Sequence, residues 1–488
     1  TLISEVEANT ITLNTTSLAI EVTDPMSVET ANSLNALTAG GEVVTGEVSA
    51  SSSQLVTLAG VNEYDLTVTG TAADAADLLT IITKTSEELD ADGITRTEGA
   101  LSDIQNVFDG SNAESPTITV DALKGASARI VLTDSSIAVS DLYSNVGGES
   151  GITTETQGTV FATQATTFTG TAAEFGTTST ANTLLYFIEQ ADVITSTTFQ
   201  LTVEIPEGGS TEITAGALNA LVPDLPGVSV NAAAYTQVTG SDSDIEALIS
   251  GGVITLNENL NIVLTNSSVE AANVDAIFNA NGSGTIDFDS VNSMTGSLVD
   301  LQSVVTEASG ASGVNFGHSI AATVTDETVS DASILTTLQA GLSGGAVSSS
   351  TITAVSGNDS QIGALGTSIS NNKIAIGNPA IEVTGTATVA NISKIAQDTS
   401  GVITAEVDAS TSVGDLLALP AEDNKLDITI AAVISGHNAL DLTNIAARTA
   451  LEVDAALVSK VTGTATELDN YLDADIKFPT SSYIVVGS

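Results

Sequence analysis

A short unit recurs along this chain, and the recurrence narrows the folds open to it. In Val383-Thr384-Gly385-Thr386-Ala387-Thr388-Val389-Ala390-Asn391-Ile392-Ser393-Lys394-Ile395-Ala396, a β-branched run ends in Thr-Gly. A capped segment with Val389, Ile392 and Ile395 at helical spacing follows. The unit reads as a strand end, a turn, a short helix and a return. Thr69-Gly70-Thr71-Ala72 and Thr462-Gly463-Thr464-Ala465 repeat it. Thr23-Asp24, Thr133-Asp134, Thr265-Asn266 and Thr325-Asp326 carry Asp or Asn at the turn, and Ser356-Gly357 and Ser435-Gly436 are looser variants.

Beyond residue 236 the markers fall at Thr239, Thr265, Thr295, Thr325, Ser356, Thr384, Asp408, Ser435 and Thr462. Their spacing of about 28 residues lies in the solenoid range. One strand and one short helix per step cannot bury their apolar faces alone, whereas stacked neighbours can. Strands met in one repeating sense are parallel and joined by crossovers. The expected fold is mainly β with short helices (β or α/β), a repetitive solenoid of parallel strands with repeats of about 23–31 residues. Residues 1–144 and 236–488 read as regular repeats. Residues 145–235 read as irregular coils or an inserted lobe, holding Phe161, Phe168, Phe175, Tyr186, Phe187, Phe199 and Tyr235 in a chain that is only 3% aromatic. Those rings serve either as extra core or as a contact patch for another molecule.

Local signals place several helix starts. Asp24 with Pro25 reads as a cap and first turn ahead of Val28, Ala31, Leu34 and Leu37. Thr71 to Asp74, Ser267 to Glu270 and Thr464 to Glu467 fit capping boxes.

Charge bounds the partners. The chain has 60 acidic and 10 basic residues, a formal charge of −50, and no Lys or Arg between Arg129 and Lys373. Such a surface repels nucleic-acid phosphates and anionic membranes and attracts cations. The absence of Cys excludes disulfides and thiolate metal sites. With few Lys, abundant Ser and Thr and this acidity, it points to an extracellular or cell-surface setting, with a leader removed ahead of Thr1. No apolar run is long enough to span a bilayer.

The turn units Val68-Thr69-Gly70-Thr71-Ala72, Val383-Thr384-Gly385-Thr386-Ala387 and Val461-Thr462-Gly463-Thr464-Ala465 resemble those of large repeat-bearing bacterial surface proteins, cyanobacterial ones among them. The resemblance implies a secreted adhesin, surface-layer or filament protein. Many such families carry the calcium-binding nonapeptide Gly-Gly-x-Gly-x-Asp, which this chain lacks.

Residues with chemistry are sparse. Gly341-Leu342-Ser343-Gly344-Gly345 matches the nucleophile-elbow pattern, but a helical segment precedes it, so a helix-ending turn is expected. His318 and His437 sit beside turns. The carboxylates Asp242 with Asp244, and Asp469 with Asp473 and Asp475, form short clusters. Asp90-Ala91-Asp92-Gly93 and Asp287-Phe288-Asp289 are the candidate partial calcium sites, since Ca²⁺ takes six to eight oxygens from Asp and turn carbonyls. Asn14, Asn266, Asn281, Asn358 and Asn391 fit the N-glycan acceptor pattern.

The leading expectation is a non-enzymatic structural subunit that polymerises into an extracellular filament or surface array. Bare strands at Thr1-Leu2-Ile3 and Tyr483 to Val486 would pair end to end with other copies, and divalent cations would bridge acidic faces. The alternatives are an adhesin segment that binds a sugar or a cell surface through residues 145–235, and a β-helical polysaccharide-degrading enzyme using one Asp pair.

Overall fold

The computed structural model describes residues 19–38, 42–110, 116–142, 151–176, 183–190, 192–222, 227–282, 284–309, 316–420, 424–432, 436–478 and 483–486. They form the expected repetitive α/β fold, in which short parallel strands alternate with short helices. The chain divides into two compact units, residues 1–236 with 251–257 and residues 237–250 with 258–488.

The first unit holds three five-stranded sheets. One runs Ile20–Glu21, Val44–Ala50, Glu63–Val68, Leu89–Asp90, Ile118–Thr119. The next runs Ala72–Asp74, Arg96–Gly99, Arg129–Leu132, Thr159–Ala162, Val193–Thr195, and the third Ser136–Ala138, Thr167–Gly170, Phe199–Val203, Val228–Asn231, Ile254–Thr255. The second unit continues in the same manner. Its sheets include Gln237–Gly240, Asn261–Leu264, Ile286–Asp287, and then Ser268–Glu270, Ser293–Gly296, Ala321–Val324, Val347–Ser348, Ile374–Ala375. Later come Thr328–Val329, Ala354–Asn358, Ala380–Ala387, Ile403–Val407, Lys425–Asp427, and finally His437–Asn438, Lys460–Gly463, Tyr483–Val486. All these pairings are parallel.

Register follows from the apolar pattern. Val238 pairs with Ile262 and Ile262 with Ile286, an advance of 24 residues each time. In the neighbouring sheet Val269, Met294, Ala322, Val347 and Ile374 line up in turn, all buried. A slip of one residue would turn such a row out to solvent, so burial fixes the pairing. The helices follow the same rule. Ile245 with Leu248, Val274 with Ile277 and Ile362 with Leu365, each three residues apart, form their buried faces. Each such side chain contributes about 1.5–3 kcal/mol on burial.

Many repeats carry a second short strand ahead of the helix, where one was expected. After Asn261–Leu264 the chain turns at Thr265-Asn266, forms Ser268–Glu270 and only then enters the helix Ala271–Ala280. The extra strand moves the helix starts. Ser268–Glu270 takes the residues of the expected capping box, and Ala72–Asp74 is likewise a strand whose Asp74 caps the helix Ala75–Ile82. Ser27, not Asp24, caps the helix Val28–Leu37. The Thr464 to Glu467 box forms as expected.

Thr-Gly serves two purposes. Gly70 and Gly385 adopt φ of 107° and 77°, the left-handed turn that glycine permits. Gly463 instead ends a strand where a Cβ would come 3.0 Å from Ala439 of the preceding repeat.

Within residues 145–235, the described strands continue the ladders on either side. Phe168, Phe175, Phe199 and Tyr235 are buried, with Phe168 edge-on to Phe199 at 5.3 Å. The Tyr235 hydroxyl donates to the Glu204 carbonyl oxygen at 3.0 Å.

Candidate functional site

The acidic residues at the corners of the repeats are held by local backbone geometry. Asp90 Oδ1 accepts from the Asp92 N–H at 3.0 Å, and Asp287 Oδ1 accepts from the Asp289 N–H at 2.8 Å. Asn231, Asp408 and Asp454 do the same two residues on. These are Asx turns, in which the side chain replaces a backbone acceptor at a corner between strands. Asp92 reaches further, its Oδ1 accepting from the N–H of Asp121, the first residue of the helix Asp121–Lys124. The sequence-derived calcium candidates are thus two separate corner turns, each bringing its two Asp residues together. Among the described residues no group of three or more His, Cys, Asp or Glu is arranged to hold a metal ion.

The second acidic constellation joins repeat to repeat. Asp242 opens the helix Asp242–Ser250 and is 5% exposed. Its Oδ1 accepts from Asn266 Nδ2 at 2.6 Å, and its Oδ2 accepts from the Glu270 N–H and Asn273 Nδ2, both at 2.9 Å. Asn266 in turn caps the Asp242 N–H at 3.2 Å. Asp359, at the same place in the helix Asp359–Ser370, accepts from the Thr388 N–H and Asn391 Nδ2, both at 2.9 Å. In this way an Asp at the start of one helix satisfies the orphan N–H groups at the start of the next.

The Thr-Asp and Thr-Asn turns cap in the reverse direction. Asp134 accepts from the Leu101 N–H and Asp326 from the Leu298 N–H, each at 2.7 Å and each one repeat back. Sequence reasoning found these turns but not their partners. The signal that could have found them is the Gly-x-(Leu/Asp) step ending the strand one repeat earlier, at Gly99, Gly240 and Gly296.

Hydrogen bonding tunes several acids at or near the surface. Bonds from the Ser333 hydroxyl and N–H hold Asp331 below the usual carboxylate range. The Ser410 N–H and hydroxyl act likewise on Asp408. The Lys477 ammonium, 2.8 Å away, lowers Asp454 and is itself raised.

The other candidates sit in backbone roles. Ser343 lies just past the helix Ser333–Gly341 with φ of 51°, and its hydroxyl meets the Phe316 carbonyl oxygen. That is a helix end rather than the strand-to-helix elbow of a nucleophile. His318 Nε2 pairs with the Val291 carbonyl oxygen at 2.6 Å, and His437 Nε2 with the Ala431 carbonyl oxygen at 3.0 Å. Asn266 and Asn391, two of the acceptor-pattern asparagines, are engaged between repeats, while Asn14 lies outside the described residues.

A third feature is an unpaired edge. Tyr483–Val486 is the outer strand of its sheet and pairs only with Lys460–Gly463 among the described residues. Ile484 faces Val461 in register, yet Val461 is 1% exposed and Ile484 48%. Phe478 follows Lys477 as Ala455 follows its partner Asp454, and Phe478 is 41% exposed where Ala455 is fully buried. Leu472, next to the buried Tyr471 on the helix Ala465–Asp473, is exposed too. The Thr1-Leu2-Ile3 stretch lies outside the described residues.

Among the described residues no helix is long and apolar enough to cross a membrane. The chain matches no protein-family model and no curated protein sequence.

Proposed function

We propose that this protein is a non-enzymatic structural subunit of an extracellular or cell-surface assembly. The strand Tyr483–Val486 receives a parallel strand from a second copy, and Ile484, Phe478 and Leu472 are covered in the same step. The observation that carries this reading is the exposure of Ile484 and Phe478 at register positions that are buried one repeat earlier. Pairing a further strand there would reuse the backbone bonds that join the repeats, and covering the three side chains would extend the same apolar ladder. The roles of Ser343, His318 and His437 in holding backbone favour a structural reading over a catalytic one. Divalent cations are the expected partners of a surface at −50, since they relieve its self-repulsion.

Deleting residues 479–488 tests the reading by electron microscopy at near-native salt. The expected outcome is dispersed particles in place of assemblies, with Ile484→Asp giving the same result in a folded chain. Assembly that persists in both variants would overturn it.

A further inference from the structure

Independently of that edge, the geometry points to a carbohydrate-binding face on the sheet Ala72–Asp74, Arg96–Gly99, Arg129–Leu132, Thr159–Ala162, Val193–Thr195. Its ligand class is a polysaccharide bearing uronic-acid carboxylates. Along this sheet Thr97, Ile130, Val160 and Val193 form the buried row. Strand alternation therefore turns the flanking rows outward. One outward row is Asp74, Glu98, Val131, Phe161 and Ile194, and the other is Ala72, Arg96, Arg129 and Thr159. Two of the three arginines in a chain of charge −50 thus lie side by side on one face.

The two arginines differ in what they touch. Arg96 is paired with Glu98. Arg129 makes no ion pair among the described residues, and its guanidinium lies over the Phe161 ring, 4.5 Å from the centroid. The ring anchors the guanidinium, whose N–H edge can donate two parallel hydrogen bonds to a carboxylate. Beside it Val131 and Phe161 are half-buried and Ile194 is 36% exposed, one on each of three consecutive strands. Beside Asp74 and the Arg96-paired Glu98, the face therefore combines a ring-anchored cation with an apolar strip that crosses the strands.

The occupant follows from that combination. The backbone bonds of these inner strands are already used within the sheet, so a peptide strand cannot add by pairing here. A pyranose chain instead lays its C–H faces on Phe161 and Ile194, and a uronic acid in it presents a carboxylate to Arg129. The long-range repulsion between two anions is screened beyond about 8 Å at about 0.15 M salt, so the local contacts decide.

The test is calorimetric titration of the full chain at that salt with a galacturonic-acid hexamer, a neutral glucose hexamer and a glutamate hexapeptide. Wild type is expected to bind the uronate alone. Arg129→Gln is expected to weaken it by about tenfold or more and Arg129→Lys by less, because Lys keeps the charge but loses the planar fork. Ile194→Ser, a surface change with little risk to folding, is expected to weaken it by a few-fold, at about the cost of a small apolar contact. Circular dichroism shows whether each variant remains folded. No binding by wild type, equal binding of the neutral hexamer or of the peptide, or undiminished binding by folded Arg129→Gln would each overturn the proposal.

Discussion

Thr97 occupies a place that its neighbours give to aliphatic side chains. It stands between Ala73 and Ile130 in the buried row, fully buried, and among the described residues its hydroxyl has no hydrogen-bond partner. A buried hydroxyl without a partner costs roughly 1–3 kcal/mol, so Thr97→Val, with nearly the same shape, is expected to stabilise the first unit by about 1 kcal/mol. A rise in the urea midpoint at unchanged m checks this. Tyr64 makes a second residue-level case. It is fully buried, its hydroxyl donates to the Ala31 carbonyl oxygen at 3.3 Å, and burial pushes its pKa up to about 12. Because the folded value lies above the unfolded value of about 10, stability is intact below pH 10 and falls as pH rises toward 12. The loss is of order 2–3 kcal/mol, and Tyr64→Phe should remove it in alkaline denaturation. Asp331 and Asp408 act at the opposite limit. Their folded values are lowered, so the stability they contribute is present above the unfolded carboxylate range and is lost as pH falls through their folded values.

Between elements, the decisive contacts run from one helix start to the next. Asp242→Ala would leave Asn273 Nδ2 and the Glu270 N–H without their acceptor, and Asn266 Nδ2 with the Ser268 carbonyl oxygen alone, in a nearly water-free place. The expected loss is about 3 kcal/mol, read by chemical denaturation, and a double-mutant cycle with Asn273→Ala should show coupling above about 1 kcal/mol. Little of this was legible in the sequence. Turn chemistry at Thr133-Asp134, Thr265-Asn266 and Thr325-Asp326 was readable because Asp and Asn favour such turns locally. The helix each one caps was not, because that partner lies one repeat away and is set by strand register. The box at Thr464 was readable and the one at Ser267 was not, since Val269 is drawn into the buried row and pulls Ser268–Glu270 into a strand. Asp90 and Asp287 carried an ambiguous signal, because Asp two residues from Asp suits both an Asx turn and a cation. The Arg129–Phe161 stack joins strands 32 positions apart in sequence and gave no local sign beyond the aromatic enrichment.

For the molecule as a whole, periodicity and composition made the parallel α/β repeat legible, because a unit too small to bury its own faces must borrow cover from its neighbours. Function was less legible, since acidity and repetition are shared by many surface proteins. A charge of −50 repels itself, so thermal stability should climb as salt is raised from about 10 mM to about 150 mM and level off as the Debye length shortens to about 8 Å. A flat response would mean that the charges are already compensated. Assembly through the edge strand is the central proposal, and sedimentation velocity of the intact chain across a range of concentrations tests it most directly. The expected result is species heavier than 49.0 kDa that grow with concentration and vanish when residues 479–488 are removed. A single 49.0 kDa species at every concentration would contradict it.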